Sequence, residues 1–176
     1  VLYITDTALH EVRKLTLEGE ELVRFTWPKE SGLYTQADEY RPSKILVHPD
    51  GRLWIFDGYG KDYIHAYSAD GRWLKSWGGN LGEGENQLRH WGPHGGGLDL
   101  RDPNKPRIVV AMSDQQEMKS FTLDGQFIHK SAFPGGNPRD FIPFGDHSVI
   151  PHLGDNWPQD KNSPGFISVV DRDFKI

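Results

Sequence analysis

No cysteine occurs in the chain, which excludes disulfides, thiolate metal sites and a cysteine nucleophile. It leaves the compartment open, because exported proteins also exist without disulfides. No apolar run approaches the ~20 residues that a membrane-spanning helix needs. Basic residues are outnumbered, 20 Lys and Arg against 25 Asp and Glu, for a formal charge of −5. Without a basic arm or stripe, nucleic acid is not an expected partner, and RNA binding on one face would need a basic surface that the sequence lacks. A sustained 3.6-residue apolar period is missing too, so no helix is predicted.

What the chain does have is turn formers and aromatics: 20 Gly, 12 Pro and 12% aromatic residues in 176. That composition favours many short strands joined by many turns, an all-β protein of one domain's length. Asp50-Gly51, Asp70-Gly71 and Asp124-Gly125 lie between apolar runs, with Glu18-Gly19 in an equivalent setting. The pairs predict β-hairpins with type I′ turns, whose two central residues both take positive φ.

Around these turns one unit recurs. Leu53-Trp54-Ile55-Phe56-Asp57 leads to Tyr63-Ile64-His65-Ala66-Tyr67 and then to Asp70-Gly71. Ile108-Val109-Val110-Ala111-Met112 leads in the same order to Glu117–Phe121 and Asp124-Gly125, and Tyr3-Ile4-Thr5-Asp6 begins a third copy. From Asp6 to Gly19 is 13 residues, from Asp57 to Gly71 is 14 and from Met112 to Gly125 is 13. A weaker fourth unit contains Gly165–Val170. The approximate units are 1–27, 41–78, 93–130 and 137–176, separated by insertions near Pro28–Tyr40 and Gly78–Gly92.

A small sheet is marginal alone, and several packed radially would bury both faces. A β-propeller segment of about four blades is therefore expected, with a β-sandwich as the alternative. The chain opens on Val1-Leu2-Tyr3-Ile4 as if a strand were under way and ends on Asp173-Phe174-Lys175-Ile176. This suggests a segment of a longer protein.

Ile4–Leu15, Asp57-Gly58-Tyr59, Ser68–Gly71, Ser76-Trp77-Gly78 and Gly92-Pro93-His94-Gly95 carry a resemblance to the NHL-repeat propellers. More narrowly, these residues resemble the catalytic propeller of the peptidyl-α-hydroxyglycine α-amidating lyases. The resemblance implies a six-bladed parent, secretion to an extracellular or periplasmic setting, and axial zinc held by histidines of different blades. It also implies a tyrosine and arginines that cleave the N–C bond of a hydroxyglycine end. His94 falls where one zinc histidine falls, and Tyr59 where the catalytic tyrosine falls. Where the family carries an arginine after Val110-Ala111, this chain reads Met112-Ser113-Asp114.

Several residues are candidates on their own chemistry. His94, between Pro93 and three glycines, is a candidate metal ligand or a hydrogen-bonding channel residue. His152, in a second Pro-His, is a candidate second ligand or a structural turn histidine, and Asp155 beside it could ligate or orient. The expected ion is divalent, zinc first and calcium second. Tyr59 can move a proton if a cation lowers a phenol pKa that is ordinarily ~10. Asp57, like Asp6, is expected to satisfy loop N–H groups. His10 and His65 are expected at equivalent positions of their units. Trp91 and Trp157, in loops beside the two Pro-His pairs, are candidates for gripping a ligand. Two functions follow: a metal-dependent, lyase-like enzyme acting on a small polar molecule or peptide, or a scaffold that binds a protein or carbohydrate.

Overall fold

The computed structural model describes residues 1–133, 136–154, 160 and 162–175. It is all-β, with four antiparallel sheets arranged as propeller blades. Blade I holds β1 (Leu2–Asp6), β2 (Glu11–Leu15) and β3 (Glu21–Phe25). Blade II holds β4 (Lys44–Val47), β5 (Leu53–Phe56), β6 (Tyr63–Tyr67) and β7 (Trp73–Gly78). Blade III holds β8 (Pro93–Asp99), β9 (Arg107–Met112), β10 (Glu117–Thr122) and β11 (Phe127–Ala132). Blade IV holds β12 (Ile142–Phe144), β13 (His147–His152) and β14 (Phe166–Val170). Within each sheet the strands pair in chain order. Strands β4, β8 and β12 each form one edge of a sheet and pack against one another in succession.

Three apolar seams lie between the blades, and strand alternation builds them. Along β5, Leu53 and Ile55 join the seam with blade I, while Trp54 and Phe56 join the seam with blade III. Along β9, Ile108, Val110 and Met112 face blade II, and Val109 and Ala111 face blade IV. A strand covered on both faces reads as a continuous apolar run, and its period of two shows only in which seam each side chain enters. Each fully buried large side chain contributes about 1.5–3 kcal/mol by leaving water. Among the described residues no helix is long and apolar enough to cross a membrane.

The hairpin turns differ from expectation. Gly19, Gly51, Gly71 and Gly125 all have positive φ, but Glu18, Asp50, Asp70 and Asp124 do not. At each site the glycine N–H donates three residues back, as Gly51 does to the His48 carbonyl at 2.9 Å. His48 N–H in turn donates to the Arg52 carbonyl at 2.9 Å, closing a three-residue loop. These are type I turns followed by a left-handed glycine, so only one residue per turn needs positive φ. The pairing shifts by one residue at Ala66/Tyr67 and at Ser120/Phe121, where the bulges sit.

His10 and His65 are not equivalent. His10 precedes β2 with φ 58° and bonds the Tyr40 carbonyl, whereas His65 lies inside β6 opposite Ile55. Aligning Asp6 with Asp57 puts Arg13, not His10, at the place of His65.

Candidate functional site

Antiparallel blades put alternate connections at opposite ends of the sheets. The β3–β4, β7–β8 and β11–β12 connections share one end with the β5–β6 turn, residues 57–62. Tyr59 stands in that turn, His94 at the start of β8, and Arg139 and Asp140 just before β12. Three consecutive blades thus supply one mouth.

At its centre the Tyr59 hydroxyl meets His94 Nε2 at 2.5 Å. The two rings pack edge to face with centroids 5.3 Å apart, and Trp91 covers Tyr59 at 5.9 Å. Burial pushes His94 down to about 4, and the charges of Arg139 and Lys44 add to that. The imidazole is therefore neutral near pH 7. The Arg139 backbone acts weakly in the other direction, favouring the protonated ring. In the tautomer with its proton on Nδ1, the neutral ring accepts the Tyr59 O–H at Nε2.

The glycines after His94 are explained by this crossing. A Cβ on Gly95 would lie 2.2 Å from the Arg139 carbonyl oxygen, and one on Gly97 would lie 2.4 Å from that of Phe141. Only glycine lets β8 come this close to the β11–β12 connection. Asp140 fixes the same crossing, accepting from Gly96 N–H at 2.9 Å and from Lys44 Nζ at 2.6 Å.

Arg139 is the cation of the mouth. Burial lowers its pKa, and negative charge on Tyr59 would raise it, which places the two side chains within electrostatic reach. Its Nε is buried without a hydrogen-bond partner, and no carboxylate pairs with it among the described residues. Lys44, by contrast, is paired with Asp140.

Asp57 behaves as expected of a loop-capping carboxylate. It accepts from Arg41 N–H at 2.6 Å, Lys61 N–H at 2.7 Å and the Tyr34 hydroxyl at 2.7 Å. Asp6 caps Ala8 and Leu9 in the same way.

The structure brings Tyr59, Trp91 and His94 together. His152 is placed differently, on β13, where its ring stacks between Phe133 at 5.1 Å and Phe166 at 4.3 Å. Its Nδ1 bonds the Gly136 carbonyl at 3.1 Å, and the residue is buried. Asp155 and Trp157 lie outside the described residues. Among the described residues no group of three or more His, Cys, Asp or Glu is placed to hold a metal ion. With Nε2 of His94 engaged by Tyr59, these residues do not by themselves fit a zinc or calcium site.

A concavity of about 750 Å³ opens at the opposite end beneath blade III. Arg101, Arg107, Lys105, Leu123 and Ile128 are among the residues that line it. Its two inner arginines both clasp Asp99, through Arg101 Nε at 2.7 Å and Arg107 Nη2 at 2.9 Å.

No family model and no curated protein sequence matches the chain. Solved propellers do. Hydrazine synthase of Kuenenia stuttgartiensis is similar with a TM-score of 0.65 at 11% identity, over 96% of this chain and 42% of that one. The Pan2 WD40 domain of Neurospora crassa gives 0.59 at 9% identity, over 97% of this chain and 48% of that one. Virginiamycin B lyase from Staphylococcus aureus gives 0.57 at 16% identity, over 96% of this chain and 51% of that one. The chain spans about half the length of these structures, and at such identities the likeness shows the propeller fold alone.

Proposed function

We propose that the mouth binds a small polar substrate carrying a carboxylate and performs lyase-type acid–base chemistry on it. One observation carries the reading: the 2.5 Å Tyr59–His94 contact lies beside an arginine without a carboxylate partner among the described residues. Arg139 would take the substrate carboxylate through its planar guanidinium. Tyr59 would accept a substrate proton while passing its own to neutral His94 Nε2, which the bond between them permits.

For a hydroxyglycine end the bookkeeping closes. The carbinol O–H loses its proton toward Tyr59, the C–N bond breaks to leave glyoxylate, and the amide nitrogen receives the proton held on His94. The six-bladed NHL ring and the extracellular or periplasmic setting belong to this reading, because they come with the family resemblance. Zinc enters it in one form only. His94 would be this chain's ligand, further donors would come from outside the described residues, and Tyr59 would have to leave Nε2.

The second reading is a binding scaffold for a protein or carbohydrate, favoured by Trp91, whose surface is 54% exposed at the mouth. Glyoxylate release from a peptidyl-α-hydroxyglycine, measured on wild type and Tyr59→Phe beside metal analysis of both, separates the two. Turnover that is lost in Tyr59→Phe supports the enzyme. No turnover with metal-free or metal-loaded protein supports the scaffold.

A further inference from the structure

The 57–62 turn ends on a second buried carboxylate, Asp62, which the proton-transfer chemistry does not use. Its side chain has no exposed surface, and its backbone sits in the left-handed region at φ 62°. Its N–H donates to the Asp57 carbonyl within the turn at 3.0 Å, whereas the partners of its carboxylate among the described residues belong to the 79–92 insertion. Asn80 Nδ2 donates to Asp62 Oδ2 at 2.7 Å, and His90 Nδ1 meets the same oxygen at 3.1 Å. Gly79 N–H donates to the Asp62 carbonyl at 2.9 Å. The Trp91 amide also favours the charged carboxylate. Trp91 itself is held at φ 58°, a conformation that a bulky residue keeps only when its surroundings fix it. Gly92 on its far side is clamped as well, because a Cβ there would lie 2.4 Å from both the Arg89 carbonyl oxygen and the Met112 methyl carbon.

We propose that Asp62 is a positioning residue of the mouth. Its carboxylate fastens the 79–92 insertion to the turn that carries Tyr59, and so holds Trp91 as a wall against the Tyr59 ring. The role rests on the reading of this end as the ligand site, but the geometry it describes exists without ligand. The charged and titratable groups around Asp62 are His90 from the insertion, whose side chain is 58% exposed, and Asp57 within its own turn. Burial pushes the Asp62 carboxyl up to about 6 against the lowering effect of Asn80 and His90. The latch therefore sits where mild acid reaches it. Asp57 holds the first insertion through Tyr34 and the Arg41 amide, so one short turn organises both insertions.

The test reads Trp91 directly, without ligand. Iodide quenching would be measured in each background as the difference between Trp91 and Trp91→Phe, beside hydrogen exchange of the 79–92 segment. Asp62→Ala is expected to raise quenching of Trp91 and speed exchange of 79–92 by about tenfold, with exchange of 26–43 unchanged. Asp62→Asn, which keeps an acceptor for Asn80, is expected to restore most of the protection. Should Asp62→Ala fail to fold, the pair Asn80→Ala and His90→Gln reads the same loss from the insertion side. Unchanged quenching and exchange would overturn the proposal, as would equal loosening of 26–43. Glyoxylate titration of the same variants keeps the two ideas apart. Loss of Trp91 placement with binding intact in wild type supports the latch, whereas absent binding in wild type with a working latch removes only the site reading.

Discussion

The two ends of the blades both carry arginines, and they use them oppositely. Beneath blade III, Arg101 and Arg107 surround Asp99, and their remaining donors reach the His147 and Arg172 carbonyls and the Ser148 hydroxyl. The two guanidinium groups hold the Asp99 carboxyl down at about 2 despite its burial. At the mouth, Arg139 pairs with no carboxylate among the described residues, and its charge acts on Tyr59 and the neutral His94. The concavity beneath blade III is thus one whose charge is already spent. A satisfied cluster locks a fold, and a cation without a carboxylate partner is open to a ligand, so charge compensation distinguishes the two ends.

That contrast can be broken from either side. The largest effect on turnover is expected from Tyr59→Phe, a fall of about 10²–10⁴-fold in glyoxylate release with a urea midpoint close to wild type. At the opposite end, Asp99→Asn strands two partly buried guanidinium groups. It should cost about 3 kcal/mol in urea unfolding while leaving the mouth intact. Because the folded Asp99 pKa is depressed, its contribution is present above the unfolded value near 3.8 and disappears as pH falls through about 2. Arg139→Leu should do the reverse of Asp99→Asn. Carboxylate affinity should drop by about 10–100-fold, the worth of a charged hydrogen bond, with stability unchanged or higher. Gly95→Ala pushes a methyl into the Arg139 carbonyl and is expected to cost about 1–3 kcal/mol, disturbing the mouth as well as the seam.

The smallest and most discriminating effect concerns acid. His94 and His65 are held down at about 4 and about 3, so each favours folding above the unfolded pKa near 6.5 and loses that contribution as pH falls toward its folded value. Asp57 and Asp62 are raised to about 6, so both favour folding increasingly as pH drops from 6 toward 3.8. The opposed slopes should leave unfolding free energy nearly flat between about pH 6 and 4. Asp62→Asn removes one compensating carboxylate, and its stability should fall more steeply than wild type over that window.

Much of the architecture was legible because propeller packing writes itself locally. Apolar runs such as Leu53–Phe56 and Ile108–Met112, each followed by a strand and an Asp-Gly or similar turn, mark the blades before any tertiary contact is known. The type I′ expectation missed because an Asp-Gly pair also suits a three-residue loop, in which the aspartate stays in the ordinary helical region. Tyr59 and His94 could be named because short motifs surround them. Their meeting at 2.5 Å needed the fold. Arg139 was missed since it follows Pro138 in a stretch without strand alternation and reaches the mouth only through the β8 crossing. The triple glycine after His94 was the available signal for that crossing, because successive glycines in a strand announce a close backbone neighbour. Asp62 gave less warning, as its partners lie in an insertion with no pattern of its own. His152 shares the Pro-His dipeptide with His94, but β13 turns its ring between two phenylalanines.

The most direct measurement is glyoxylate titration followed by NMR chemical shifts of the mouth and of the arginine cluster beneath blade III, on wild type and Arg139→Leu. Saturable shifts are expected at Tyr59, His94 and Arg139 that vanish in Arg139→Leu, with Arg101 and Arg107 silent. Shifts centred on Arg101, Arg107 and Lys105, or none anywhere, would contradict it.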